Sequence, residues 1–192
     1  ENEMLLGNKV FSWSLGILIS TLTMVGIVSA DTTTNGTATL TVVAPSTNAL
    51  TLMSTPNIDF GTATIGSING TLPGTSDKPY TILDLRGGST GYRVQVEASN
   101  FTSKTDSSKL LPVTAVMMNV ANSTNGELTG TGSAVNIFGQ QAVVLTGGAD
   151  SNGTQVSGDI TSRLTLDTSK VGSLKVGEYQ ATVTHSIVSG IQ

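Results

Sequence analysis

From residue 31 onward the chain alternates apolar and polar residues in short runs, and no stretch sustains the 3.6-residue period of a helix. The last sixteen residues, GEYQATVTHSIVSGIQ, show the alternation best. Tyr179, Ala181, Val183, His185 and Ile187 face one way in a strand, and Gln180, Thr182, Thr184 and Ser186 the other. Similar runs lie at residues 37–43, 49–53, 57–60, 80–85, 92–98, 113–120, 135–138, 142–145 and 160–166, with Gly, Asn, Ser, Asp and Pro between them. Residues 113–120 are apolar on both faces and predict a central, doubly covered strand. Short strands separated by turn residues predict an all-β fold, a β-sandwich of immunoglobulin-like Greek-key type. The abundant threonine suits this: the β-branched carbon fits the pleat and the hydroxyl suits the solvent side.

The composition narrows the function. Only 11% of residues are charged and the net charge is −4, with no Lys/Arg cluster, so a nucleic-acid footprint is not expected. The 38% apolar content is enough for a modest core. There is no cysteine, which removes disulfides, thiolate metal sites and cysteine nucleophiles. His185 is the sole histidine, too few for ordinary zinc ligation or for a choice of catalytic bases. No Gly-x-Ser-x-Gly elbow surrounds a serine. Paired carboxylates for glycoside hydrolysis are not excluded by sequence, but the chain after residue 30 has three Tyr, three Phe and no Trp to stack on sugars. The expectation is a non-enzyme without metal or cofactor. Asp150, Asn152 and Asp159 offer hard oxygens for calcium, yet the EF-hand spacing is missing and a turn is the preferred reading. Asn-x-Ser/Thr sequons at Asn35, Asn69, Asn100, Asn122 and Asn152 are read as loop markers.

Residues 10–28 are uncharged and mostly apolar, follow Lys9, and end at Val28-Ser29-Ala30. Charge, apolar stretch and small-residue exit predict a signal peptide over residues 1–30, helical in its apolar part, with cleavage after Ala30. Glu1 and Glu3 spoil the positive leader, which leaves Met4 as an alternative start. A retained membrane anchor is the competing reading, since about 20 apolar residues span a bilayer. Five Ser/Thr and two Gly dilute the stretch and favour cleavage. After cleavage no membrane association is expected, and the product, residues 31–192, is one exported β domain.

The order of segments then resembles a family. Residues 50–61 (LTLMSTPNIDFG) are followed by Asp84-Leu85-Arg86-Gly87, by Gly91-Tyr92-Arg93-Val94 and by the C-terminal Gly177-Glu178-Tyr179…His185-Ser186-Ile187. In order and spacing this is similar to the WxL-domain proteins, exported cell-wall-associated proteins of Gram-positive bacteria. Both tryptophans that name the family are replaced, by Tyr92 and His185, with Val94 and Ile187 in place of the leucines. The resemblance implies a secreted protein held non-covalently on peptidoglycan at the cell surface, with other surface proteins as further partners. It implies ligand contacts at Tyr92, Val94, His185 and Ile187, supported by Asp84 and Arg86. On the residues alone, Tyr92 reads as core and Asp84 with Arg86 as a pair across a turn. His185 then reads as a half-buried strand-end residue whose pKa burial lowers. A rival reading is a fibre or surface-layer subunit that grows by strand addition, with residues 37–43 as the donated strand.

Overall fold

The computed structural model describes residues 37–88 and 90–190. The leader reading, including the cut after Ala30, falls outside them. Among the described residues, no helix is long and apolar enough to cross a membrane.

Thr41–Gln192 make one compact unit, whose regular structure among the described residues is almost all antiparallel β. In chain order the strands are β1 (Leu50–Ser54), β2 (Ile58–Asp59), β3 (Thr71–Ser76), β4 (Thr81–Asp84), β5 (Tyr92–Ala98), β6 (Thr102–Ser103) and β7 (Val113–Val120). They continue as β8 (Leu128–Gly130), β9 (Val135–Asn136), β10 (Ala142–Gly147), β11 (Gly153–Val156), β12 (Ile160–Leu166), β13 (Tyr179–Gln180) and β14 (Val183–Ser189). A short 3-10 turn covers Ile65–Ser67, and a short α-helix, α1 (Thr168–Val171), is capped by Asp167, whose carboxylate accepts from the Ser169 amide at 3.1 Å.

Three of the long strands are bent. β1 continues into β2, β3 into β4 and β11 into β12, and the sheets β1-β4-β11 and β2-β3-β12-β7-β9 repeat the same strand order on either side of the bends. The pairing runs through with only small register shifts: Ile58 faces Ser76 beyond the bend, and Ser54 faces Thr81 before it. Hydrogen bonds knit the bends together. Asp77 accepts from the Asn57 amide at 2.7 Å and from its side chain at 2.8 Å, and the Tyr80 amide donates to Ser157 Oγ at 3.1 Å.

The second face is the sheet β14-β5-β10-β8. Its inner row, Tyr92, Val94, Val96 and Ala98, shares one core with Val116, Met118, Val120 and Leu164 of the bent sheet. Two antiparallel faces over one core are consistent with a β-sandwich. Gly147 has no side chain for a reason: it sits opposite Tyr92, and a Cβ there would lie 2.3 Å from the phenol ring's Cζ. β6 and β13 form a small ribbon at one end.

Several strand expectations hold, and three do not; one is the C-terminal run from Tyr179, which breaks at Ala181–Thr182 into β13, paired with β6, and β14, paired with β5. Residues 92–98, 113–120 and 160–166 form strands with the anticipated limits. Residues 37–43 do not: they carry no regular structure, and Leu40, Val42 and Val43 are 86%, 82% and 79% exposed. Alternation there describes what the segment is able to pair with, and it has no ladder partner among the described residues. β7 is central as expected, between β12 and β9, but only Val116, Met118 and Val120 are buried, while its other face stays partly open. β3, β6, β8 and β11 are additional, built from Gly-, Pro- and Ser-containing segments that read as loops.

Candidate functional site

The four residues implied by the resemblance come together on one face. β14 pairs with β5 along its length, placing His185 beside Val96, Ile187 beside Val94 and Ser189 beside Tyr92. The face is the core face. Tyr92 and Val94 have no exposed surface, so the expected direct contact with a ligand is corrected for these two: they support a surface and do not form one. His185 and Ile187, on the edge strand, are partly buried.

His185 has a partner that no local pattern announces. Its Nδ1 lies 2.9 Å from the hydroxyl of Tyr80, 105 positions away, and the rings meet edge-on at 5.6 Å and 67°. Burial drives His185 below its ordinary pKa and the Tyr80 phenol above its own. Both groups are therefore neutral and share one hydrogen bond, whose donor is set by the imidazole tautomer; the Tyr80 hydroxyl also reaches Met118 Sδ at 3.9 Å. The ring is a fitted member of the core with a satisfied nitrogen.

Asp84 and Arg86 pair as expected, and they do more than close a turn. Asp84 is 2% exposed and accepts from Arg86 Nε at 2.9 Å, Nη2 at 2.7 Å and the Arg86 amide at 3.0 Å. The guanidinium holds this carboxyl below its usual pKa. Arg86 also donates to Thr90 Oγ1 at 3.1 Å, to the Thr90 carbonyl at 2.9 Å and to Ser189 Oγ of β14. Its guanidinium sits 5.7 Å from the Tyr92 ring centre. The unit is a clasp that fastens the end of the final strand to the β4–β5 connection. Tyr92 lies beneath it, its phenol pushed up to about 12 by burial.

The exposed surface of the bent sheet is of a different kind. Odd-numbered residues of β3 and β12 point outward, so Thr75 stands opposite Thr161, Pro73 opposite Arg163 and Thr71 opposite Thr165. Asn119 of β7 extends the row beside Thr161. The result is a plate of four threonines with Pro73 and one cation, Arg163, between them. Asp59 of β2 borders it beside Thr75, and the Asn119 Oδ1 lies buried beneath its edge. The sequence showed threonine on these strands but not their alignment, because β3 reads as a loop in isolation.

A groove of about 990 Å³ opens where the two faces part, walled by residues 55–65 on one side and 174–183 on the other. Residues 149–152 form the turn preferred over a calcium loop: the Asn152 amide donates to the Asp150 carbonyl at 2.8 Å and its side chain to the Ala149 carbonyl at 3.2 Å. Among the described residues, no three Asp, Glu or His side chains gather as metal ligands. No family model matches the chain, and neither a curated protein nor a solved structure does.

Proposed function

We propose that the chain is a secreted, non-enzymatic domain of immunoglobulin-like Greek-key type that associates non-covalently with peptidoglycan at the Gram-positive cell surface. The observation that carries the reading is the threonine plate on the outer face of β3 and β12. A glycan–peptide polymer offers hydroxyls and amides at short, regular intervals, and one face of an extended strand offers a side chain about every 6.6 Å. Each hydrogen bond contributes only about 0.5–1.5 kcal/mol net. One plate binds weakly, and retention on a wall comes from many repeated sites. The low charge of the surface fits a polymer read by hydrogen bonds.

The order of motif elements, from residues 50–61 to the C-terminal strand, supports the same reading by its resemblance to WxL-domain proteins. Tyr92, Val94, His185 and Ile187 then act through the fold, and Asp84 with Arg86 hold β14 in place. Other surface proteins remain proposed partners. The test is co-sedimentation of the exported protein with isolated Gram-positive walls. Recovery in the pellet, reversed by digesting the glycan, is expected; protein left wholly in the supernatant at wall excess would sink the proposal.

A further inference from the structure

β14 ends one sheet and β2 ends the other, each with one edge without a ladder partner, and Ile58 and Asp59 of β2 line the same groove as Val183 and His185 of β14. β1 also lies beside β14. The apolar lining of the groove is Ile58, Phe60, Phe101, Leu111, Leu166 and Val183. Its charged lining is confined to Asp59, Lys175 and Glu178. Two open edges above an apolar floor are the geometry of a sandwich that lacks one strand.

A strand of the right kind is present in the same chain. Residues 37–43, TATLTVV, place Ala38, Leu40 and Val42 on one face and Thr37, Thr39 and Thr41 on the other, with no charge. Leu40, Val42 and Val43 stand exposed. Three large apolar side chains in so short an exposed run mark a binding segment. Fully extended, the seven residues span roughly 23 Å.

We infer that the groove accepts residues 37–43 of a second copy of this chain as an added strand, with Ala38, Leu40 and Val42 against its apolar floor and the threonines outward. The donor comes from another molecule because of β1. Only residues 44–49 join the segment to β1, and the free edge of β1 faces β14. A strand folding back along that edge would have to part the two, whereas one from outside enters at the open side. The contact is heterologous, since donor and acceptor are different surfaces, and it propagates into filaments unless the rotation closes a ring.

The chain has no cysteine, so an engineered pair reports without interference. In exported Leu40→Cys/Ala181→Cys protein, free of wall material, mild oxidation is expected to give a ladder of covalent oligomers. A cross-linked monomer, meaning that each strand fills its own groove, overturns the inference, and so does the absence of any Leu40–Ala181 disulfide. Face selectivity is the second arm. Leu40→Asp/Val42→Asp is expected to weaken self-association at least tenfold in sedimentation velocity, while Thr39→Asp/Thr41→Asp retains it. Equal effects of the two pairs, or a monomer at every concentration, overturn it as well. The aspartate pairs alter only exposed residues, and Ala181, partly buried at the rim of the core, changes by a single sulfur atom. The wall assay is separate, so either proposal can fail alone.

Discussion

Replacing Arg86 by methionine tests whether the clasp holds the fold. The stem survives, but Asp84, 2% exposed, loses two of its three donors and keeps only the Arg86 position's amide. Removing one partner of a buried ion pair costs about 3–5 kcal/mol, because the remaining charge is stranded. Loss of the contacts to Thr90 and Ser189 adds to this. Set against a total stability of about 5–15 kcal/mol, the change is large. In urea, with m near 2 kcal/mol per M, the midpoint falls by roughly 2 M, read by circular dichroism. Asp84→Asn/Arg86→Met, which removes the stranded charge, costs less than Arg86→Met alone.

The pH dependence has a definite sign. In the parent protein Asp84 has a depressed folded pKa, so its contribution is present above the unfolded value of about 3.9 and lost as pH falls through the folded one. In Arg86→Met the stranded carboxyl is raised by burial and takes up a proton sooner. The gap between parent and variant therefore narrows in acid. A cost below about 1 kcal/mol, or a double variant less stable than the single, would refute the clasp.

Two further outcomes follow from the same core. His185 titrates by NMR below its ordinary pKa; because the unfolded chain binds the proton more readily, stability rises with pH from the folded pKa up to about 6.5 and is flat above. A raised value would place the ring in water or beside a carboxylate. Gly147→Ala puts a methyl against the Tyr92 ring and is expected to cost about 1–3 kcal/mol in a urea melt, with partial recovery in Gly147→Ala/Tyr92→Phe. No loss in the single variant would mean that Tyr92 is not held there.

The strands legible in the sequence are those whose alternation is long and whose inner row is apolar. Residues 92–98, 113–120 and 160–166 qualify, because burial of one face fixes both the state and the register. β3, TLPGTS, was not legible: its inward residues include Gly74, kept small because a Cβ there would meet Ser162 and the Phe60 ring. Residues 37–43 failed in the opposite way, with strand-forming residues that have no partner among the described ones. Local spacing foretold the Asp84–Arg86 pair, which lies two residues apart. Tyr80 and His185 meet from opposite parts of the chain, and only the folded sheets bring them within 2.9 Å. The threonine plate depends likewise on β3 and β12 being neighbours.

Affinity of residues 31–192 for isolated Gram-positive walls, compared across three variants, bears most directly on the proposed role. Thr75→Glu/Thr161→Glu places two carboxylates on the plate, and Thr184→Glu places one on the exposed side of β14. With the plate as the contact, the first binds walls at least tenfold more weakly than the parent and the second binds as the parent does. Equal binding by all three, with circular dichroism showing each folded, would contradict it.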